Sequence, residues 1–252
     1  MFYLVIDLEM CRVPRDYRNK AYHYAYETIQ IGAVLLNEEF KQVGTIREYV
    51  HPEHGVIDPF IEKLTGIKNS QVKKAPCIGE ALVHMIDWIG DREYKVYTWS
   101  ESDRNQLLHE ITAKQITDES VDAFMMEDRW VDYQMVFSQR FQLTRRISLE
   151  EALGRADIDP KGKFHDGMDD AVNTGLLVEK LEMNPDYQLI SYEMPEKPSE
   201  PPHFSPTRSS DKGTSVRSSL DALAYKSRRI SIPSSYSSPT FWVTMNFTRS
   251  WS

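Results

Sequence analysis

The sequence has 252 residues, of which 40% are hydrophobic and 27% charged, which is enough for one large domain or two small ones with a substantial core. Its net charge of −8 argues against a strongly basic protein that binds phosphate backbones everywhere, although bound metal ions can reverse the field locally. No apolar run approaches about 18 residues, and no basic segment precedes the first apolar run, so we expect neither a membrane span nor a secretory signal. We expect Cys11 and Cys77 to be free thiols, which favours the cytoplasm.

Charge and composition both change near residue 195. Residues 195–252 contain eight Lys+Arg and four Asp+Glu, a net of +4, which leaves −12 for residues 1–194. The same segment is rich in serine and proline, and its apolar residues show no sustained periodicity. Such a composition buries too little apolar area to offset the entropy of ordering. We therefore predict a folded domain over residues 1–190 and a disordered tail over residues 195–252.

The first nine residues combine an apolar run with two acids. The segment Phe2–Ile6 is rich in aromatic and β-branched residues, which indicates a buried strand. Side chains two apart in a strand point to the same face, so Asp7 and Glu9 project together from its end. Two adjacent carboxylates repel each other and need a cation or a shared proton, and hard divalent ions prefer such oxygen ligands. The alternative is a strand that simply ends in a charged turn.

The remaining segments alternate between strand and helix patterns. Cys11–Tyr26 is predicted to be a loop, and the apolar runs Glu27–Asn37 and Phe40–Val50, joined by a short polar turn, predict an antiparallel hairpin. The later predicted elements are helices over Pro59–Gly66 and Cys77–Gly90, a strand over Tyr94–Trp99, a helix over Asp103–Ala113, a strand or turn and then a helix within Trp130–Phe141, a helix opened by a capping box at Ser148, and a long amphipathic helix over Asp166–Leu181. This order predicts an α/β domain.

Two further acidic segments lie at predicted helix starts. Asp103 begins the helix that follows the strand ending at Trp99, and His165 precedes the acids 166, 169 and 170 at the start of the last helix. Each has an ordinary alternative, because acids cap helices and complement the helix dipole, and His165 could lie on the surface. It is the combination of the three acidic segments in one chain that is improbable by chance.

These segments resemble the DEDDh group of 3′→5′ exonucleases, the DnaQ-like branch of the ribonuclease H-like fold. The resemblance rests on Val5-Ile6-Asp7-Leu8-Glu9, on Asp103 within residues 99–107, and on His165 followed five residues later by Asp170 in the stretch HDGMDDA. Within the group, Met10-Cys11 and Tyr97-Thr98-Trp99 are most similar to the histone-mRNA and small-RNA exonucleases and their bacterial KapD-like relatives. Helix periodicity alone favours Asp169 as the partner of His165, since residues i and i+4 share a face, whereas the resemblance favours Asp170.

The resemblance implies a ribonuclease H-like fold, in which helices flank a mixed central sheet, and a metal-dependent exonuclease. It implies that Asp7, Glu9, Asp103 and Asp170 hold two divalent ions, Mg²⁺ or Mn²⁺, and that His165 accepts a proton from the attacking water. An imidazole, whose ordinary pKa is about 6.5, suits that role near neutral pH.

The resemblance also implies a substrate: the single-stranded 3′ end of RNA or DNA, with RNA favoured. Met10 is the position from which members of the group contact the terminal base, and Trp99 is a second candidate for substrate binding, with a place in the core as its alternative. A DNA proofreading or repair exonuclease and a non-catalytic nucleic-acid-binding module on the same fold are the alternative functions. An intact set of four acids together with His165 argues against the binding module.

Overall fold

The computed structural model describes residues 1–17 and 24–194. The predicted tail over residues 195–252 and part of the predicted loop, residues 18–23, lie outside the described residues.

Five strands form one mixed sheet. They are β1 (Phe2–Arg12), β2 (Tyr26–Leu36), β3 (Gln42–Tyr49), β4 (Tyr94–Thr98) and β5 (Trp130–Asp132). The order across the sheet is β3-β2-β1-β4-β5. The β1/β2 and β2/β3 pairs are antiparallel, and the β1/β4 and β4/β5 pairs are parallel. The predicted hairpin and the predicted mixed sheet are both confirmed.

Helices connect and cover the strands. They are α1 (Pro59–Thr65), α2 (Asn69–Val72), α3 (Ile78–Ile89), α4 (Ser102–Ala113), α5 (Glu119–Phe124), α6 (Tyr133–Arg140), α7 (Leu149–Arg155) and α8 (Gly167–Glu182), with single 3-10 turns at Arg15–Tyr17 and Glu127–Arg129. The helices α2 and α5 were not predicted, because four and six residues are too few to establish a helical period.

The predicted capping box at the start of α7 is only half present. The Ser148 side chain accepts a hydrogen bond from the Glu151 backbone N–H at 3.1 Å, as expected of the N-cap residue. The Glu151 carboxylate does not return the bond, because it binds Arg145 at 2.7 Å and Arg155 at 2.8 Å. Two guanidinium partners compete better for a carboxylate than a backbone N–H does.

Strand β1 is longer than predicted, and its pairing with the two neighbouring strands ends at different residues. The prediction ended the strand at Glu9, but pairing with β2 continues to Arg12 opposite Tyr26. Pairing with β4 stops at Val5 opposite Tyr97. Beyond Val5, therefore, β1 keeps a strand partner on one side only, and the other side is open to residues from elsewhere.

The alternating side chains of β1 separate two hydrophobic layers. Leu4, Ile6 and Leu8 pack in the layer that contains α3, whereas Val5 packs in the layer that contains α7 and α8. Since side chains alternate along a strand, Asp7 and Glu9 lie on the same face as Val5. The two acids therefore face α8.

Candidate active site

Asp103 occupies the open side of β1. It lies in the first turn of α4 and is only 5% exposed. Its Oδ1 accepts a hydrogen bond from the Leu8 backbone N–H at 3.1 Å, and its Oδ2 is 3.3 Å from the Ser102 hydroxyl. The N-cap position itself belongs to Glu101. The carboxylate of Asp103 is thus directed at the strand that carries Asp7 and Glu9, where β4 no longer pairs.

The start of α8 brings His165 and Asp170 to the same place. Asp170 is 8% exposed, and its Oδ2 accepts the His165 backbone N–H at 2.9 Å. Potential ligand atoms of Glu9, His165 and Asp170 all lie within 4.8 Å of one another. His165 has φ of 64°, a left-handed conformation that is uncommon for a residue with a side chain.

Asp169 and Asp170 face different partners. The Oδ2 of Asp169 accepts the Lys163 backbone N–H at 2.8 Å, so its carboxylate is directed at the loop before α8. Asp170 is the residue grouped with Glu9 and His165. Helix periodicity alone favoured Asp169 as the partner of His165, and the structure groups Asp170 with it instead. The periodicity does not apply because His165 lies in the loop and not on the helix.

Two glycines allow α8 to begin directly on the sheet. A Cβ added to Gly32 in β2 would lie 2.1 Å from the carbonyl carbon of Gly167, so the two backbones are in direct contact. The Gly167 N–H donates to Oε1 of the fully buried Gln30 at 2.7 Å. Gln30 is the β2 residue opposite Glu9, and directly opposite residues point to the same face. Sequence reasoning gave these residues no role, although a glycine inside a strand is a known sign of close backbone approach.

The start of α8 is held at its outer side by Asp166 and Arg47. Asp166 is the N-cap residue and accepts the backbone N–H groups of Met168 at 3.0 Å and Asp169 at 3.3 Å. The Arg47 guanidinium in β3 donates to the same Asp166 oxygen at 2.8 Å. These contacts fix the helix that carries Asp170.

Burial, and to a smaller extent neighbouring acids, raise the pKa values of the carboxyl groups in the site. Burial, followed by the charges of Asp170 and Asp166, raises the pKa of Glu9 from 4.5 to about 8. Burial likewise raises the pKa of Asp103 and of Asp170 from 3.8 to about 6. The pKa of Asp7 is raised well above its usual value by burial and then by the charges of Asp103 and Asp170. Such a cluster favours a cationic partner.

The residues fit a divalent metal ion. The Oδ1 atom of Asp170 is buried and has no hydrogen-bond partner, which is costly for a carboxylate oxygen unless a cation contacts it. The surrounding donors are mainly carboxylate oxygens, which hard divalent ions prefer. The carboxylates of Glu9 and Asp170, which lie with His165, and those of Asp7 and Asp103 beside them offer the oxygens that such an ion would need.

The two predicted substrate-binding residues lie in different environments. Met10 follows Glu9 in β1 and is only partly buried, with its side chain against the hydrophobic layer that contains α3. Trp99 is 8% exposed and packs edge-on against Phe137, with ring centroids 5.8 Å apart. The covered position of Trp99 favours the core, the alternative that sequence reasoning left open.

A mixed five-stranded sheet with buried acids and a histidine at the open side of its central strand defines a nuclease-like site on a ribonuclease H-like fold. The chain belongs to the exonuclease family of the RNase T type, whose profile matches residues 4–178. The family membership and the fold expected from the resemblance are both confirmed.

Similar curated proteins are exoribonucleases. The chain is 28% identical to human ERI1 exoribonuclease 2 over 204 residues, which cover 71% of this chain and 28% of that protein. It is 25% identical to human 3′-5′ exoribonuclease 1 over 167 residues, which cover 63% of this chain and 47% of that protein. The chain thus spans between a quarter and a half of the length of these relatives.

Similar solved structures share the fold. The nuclease domain of 3′hExo, a DEDDh family member bound to rAMP, has a TM-score of 0.61 and 21% identity, covering 76% of this chain and 97% of that domain. A 3′-exonuclease that recognises the 3′ end of a histone mRNA stem-loop has a TM-score of 0.62 and 19% identity, covering 77% and 72%. Within residues 1–17 and 24–194, none of the helices combines the length and the apolar character that crossing a bilayer requires.

Proposed function

We propose that this protein is a metal-dependent 3′→5′ exonuclease that removes nucleotides from single-stranded RNA ends. The observation that carries the proposal is the convergence of Asp103 on β1 and of Asp170 on Glu9, with His165 in the same cluster. Three segments far apart in sequence bring their charged side chains to one small volume. The repulsion and burial of these charges are unfavourable unless bound metal ions balance them, and such clusters are typical of catalytic sites.

The metal-binding role is assigned to Asp7, Glu9, Asp103 and Asp170, and Mg²⁺ or Mn²⁺ are the ions whose ligand preferences fit. When bound, two such ions would neutralise charge on the phosphate and lower the pKa of water. The acids' raised pKa values support this assignment, because a cation restores their ionised forms.

His165 is assigned as the general base. Its imidazole accepts a proton from the water that attacks the terminal phosphorus, while the bond from phosphorus to the 3′ oxygen of the shortened strand breaks. That oxygen takes up a proton from solvent, and a nucleoside 5′-monophosphate leaves. The exposed side of His165 gives it access to solvent for release of the proton.

RNA and the terminal base are assigned as the substrate features that the protein recognises. The similar curated proteins are exoribonucleases, which supports RNA over DNA. Met10, partly exposed beside Glu9, is assigned as the contact for the terminal base, since single-stranded ends bind through the faces of their bases.

The free thiols of Cys11 and Cys77 support the cytoplasmic location expected from the sequence.

A nuclease assay tests the proposal. Single-stranded RNA and DNA of the same sequence, labelled at the 5′ end, are incubated with the protein and Mg²⁺, Mn²⁺ or a chelator. We expect a ladder that shortens from the 3′ end, faster on RNA and absent in chelator. Asp7→Asn is expected to lower the rate by about a thousandfold or more, because it removes several kcal/mol of metal-dependent stabilisation.

Asp159→Ala is the matched control, since Asp159 is an exposed acid in the loop before α8. It is expected to retain the wild-type rate. Faster shortening of DNA would replace the RNA preference with the DNA exonuclease alternative. A folded wild-type protein that shortens neither strand with either ion would overturn the enzyme and leave a binding module.

A further inference from the structure

The loop between α7 and α8 is fastened to α8 at three alternate residues. Its last part covers residues 161–165, and the backbone N–H of each of Lys161, Lys163 and His165 donates a hydrogen bond to a side chain of α8. The loop has no strand or helix of its own. Its path is therefore set by the α8 side chains that bind it.

Asn173 holds the far end of this segment at two points. Its Oδ1 accepts the Lys161 N–H at 2.8 Å, and its Nδ2 donates to the Lys161 carbonyl at 2.9 Å. Asn173 is fully buried, and its amide oxygen and nitrogen are both hydrogen-bonded to Lys161, so it is a rigid anchor.

Asp169, one helical turn before Asn173, holds the middle of the segment. Its Oδ2 accepts the Lys163 N–H at 2.8 Å. Gly162 lies against the same carboxylate with φ of 67°, and a Cβ at that position would be 2.1 Å from Oδ2. The chain thus turns around the Asp169 carboxylate immediately before it reaches His165.

His165 needs such support because its backbone is strained. Its φ of 64° is unfavourable for a residue with a side chain, by about 1–3 kcal/mol. The bond from its N–H to Asp170 is one restraint, but Asp170 is also an assigned metal ligand. The Asp169 contact, two residues earlier, restrains the chain without using an atom of the metal site.

We propose that Asp169 is a positioning residue: it fixes the path of residues 162–164 so that the His165 imidazole is directed at Glu9 and Asp170. This inference rests on the proposed function, because it takes His165 as the general base. Asp169 is assigned neither to the metal nor to the substrate, and its role is assigned to the loop contact. Its Oδ1 also lies 4.0 Å from Arg47, and its charge contributes to the raised pKa of Asp170. Asp169→Asn removes that charge but keeps the acceptor oxygen, so it separates the effect of the charge from the effect of the loop contact.

Kinetics of two substitutions test this role. Asp169→Ala removes the acceptor for the Lys163 N–H, whereas Asp169→Asn retains an acceptor oxygen of the same size. We expect Asp169→Ala to lower kcat by about 10- to 100-fold, since a displacement of about 1 Å of a reacting group has an effect of that order. We expect KM to change by less than about twofold. The Mn²⁺ dissociation constant, which calorimetry measures, is also expected to change by less than about twofold. Asp169→Asn is expected to recover most of the lost rate.

A double-mutant cycle distinguishes action through His165 from a general structural effect. In a His165→Ala background, Asp169→Ala is expected to cause no further loss, because the residue it positions is already absent. Losses that multiply would overturn the proposal, as would weaker Mn²⁺ binding by Asp169→Ala comparable to that of Asp170→Ala. Asp159→Ala, an acid in the same loop, is the control and is expected to match the wild type in every assay.

Hydrogen exchange of the Lys163 and His165 amides separates this inference from the proposed function, since it requires no turnover. We expect both amides to exchange slowly in the wild type and in Asp169→Asn, and at least about tenfold faster in Asp169→Ala. Unchanged exchange in Asp169→Ala would overturn the positioning role even if the enzyme is active. Protected amides in a protein that lacks nuclease activity would refute the general-base role of His165, and with it the positioning role in catalysis.

Discussion

The carboxylate of Glu9 lies beside the charges of Asp170 and Asp166 and is almost fully buried, so its ionised form is unfavourable in the metal-free protein. The positive charge of Lys163 offsets this in part, and its contribution is smaller than that of the acids. At the scale of single residues, therefore, the site is a local source of instability that a bound cation relieves.

This instability predicts a characteristic pH dependence. The pKa of Glu9 is raised from 4.5 to about 8, so between these values the folded protein binds the proton and the unfolded chain does not. Folding stability therefore falls as the pH rises through this window, and the loss is complete above about pH 8. Glu9→Gln is neutral throughout, so we expect it to be more thermostable than the wild type at pH 8 in chelator, with the difference shrinking towards pH 5.

Thermal unfolding of the two proteins in chelator from pH 5 to pH 9 measures this difference. Mn²⁺ is expected to raise the melting temperature of the wild type more at pH 8 than at pH 5.5, and to raise that of Glu9→Gln less at both. A difference between the two proteins that is the same at every pH would contradict the assigned environment of Glu9.

At the scale of elements, the contact between β2 and α8 decides where Asp170 lies. The backbones of Gly32 and Gly167 touch, and Gln30 accepts the first N–H of the helix. A helix kept further from the sheet would carry Asp170 away from Glu9.

Gly32→Ala tests this contact. Its Cβ would lie 2.1 Å from backbone atoms of Gly167, which cannot move as a flexible side chain would, so β2 and α8 must separate. We expect a loss of about 1–3 kcal/mol in unfolding free energy and a fall in kcat of at least about tenfold. The measurements are denaturant unfolding and the RNA-shortening assay.

Gly175→Ala is the matched control in the same helix. A Cβ there would meet Leu36 and Val34 at 3.7 Å, an ordinary contact, and Gly175 has no strained φ. We expect a gain of up to about 1 kcal/mol with unchanged activity, because alanine lowers the entropy of the unfolded chain. Equal effects of the two substitutions would show that the close approach does not position the site.

A buried ionic cluster joins α4 to β2 and to the chain after β3. Lys114 lies 2.9 Å from Glu27, 3.1 Å from Glu110 and 3.2 Å from Glu53, and the first two acids have fully buried side chains. Glu27 also accepts the backbone N–H groups of residues 53–55. This cluster fixes α4, and with it Asp103.

Lys114→Met is expected to leave two buried acids without their cation. We expect it to lower the unfolding free energy by about 3–5 kcal/mol. Lys41→Met is the control, because Lys41 is 54% exposed and its pair with Glu179 is expected to contribute at most about 1 kcal/mol. Equal losses in denaturant unfolding would contradict the structural role of the cluster.

At the scale of the whole molecule, the folded unit extends beyond α8. Arg140 donates to the carbonyl groups of Leu181, Asn184 and Pro185 at 2.7–2.9 Å. The Tyr187 hydroxyl donates to the Ala156 carbonyl at 2.7 Å, and the Ile190 N–H donates to the Arg155 carbonyl at 2.9 Å. Residues 183–190 therefore belong to the domain and fasten α8 to α6 and α7.

Two truncations test this boundary. A chain that ends after Met194 is expected to retain its activity within about twofold and its stability within about 0.5 kcal/mol, because the contacts described above are intact. A chain that ends after Glu182 loses several hydrogen bonds of about 1 kcal/mol each, so we expect its melting temperature to fall by about 5–10 °C. Loss of activity in the chain that ends after Met194 would assign a role to residues 195–252.

Much of the fold was predictable because its signals are local. The period of two in β1 placed Asp7 and Glu9 on one face, and the apolar runs of β2 and β3 indicated their hairpin. The three acidic segments resembled one exonuclease family, and the family match confirms that reading. The shortest helices left no periodic signal, so sequence reasoning omitted them.

The tertiary structure decided which side chains meet. It turned Asp169 to the loop and Asp170, the residue that the resemblance favoured, to Glu9, and it covered Trp99 with Phe137 and joined Gly32 to Gly167. Each of these contacts lies between segments whose relative position depends on how the whole chain packs. The sequence by itself therefore determined the chemical class of the site, because residue types and local spacing carry that information. The geometry of the site was decided by packing, which no local pattern encodes.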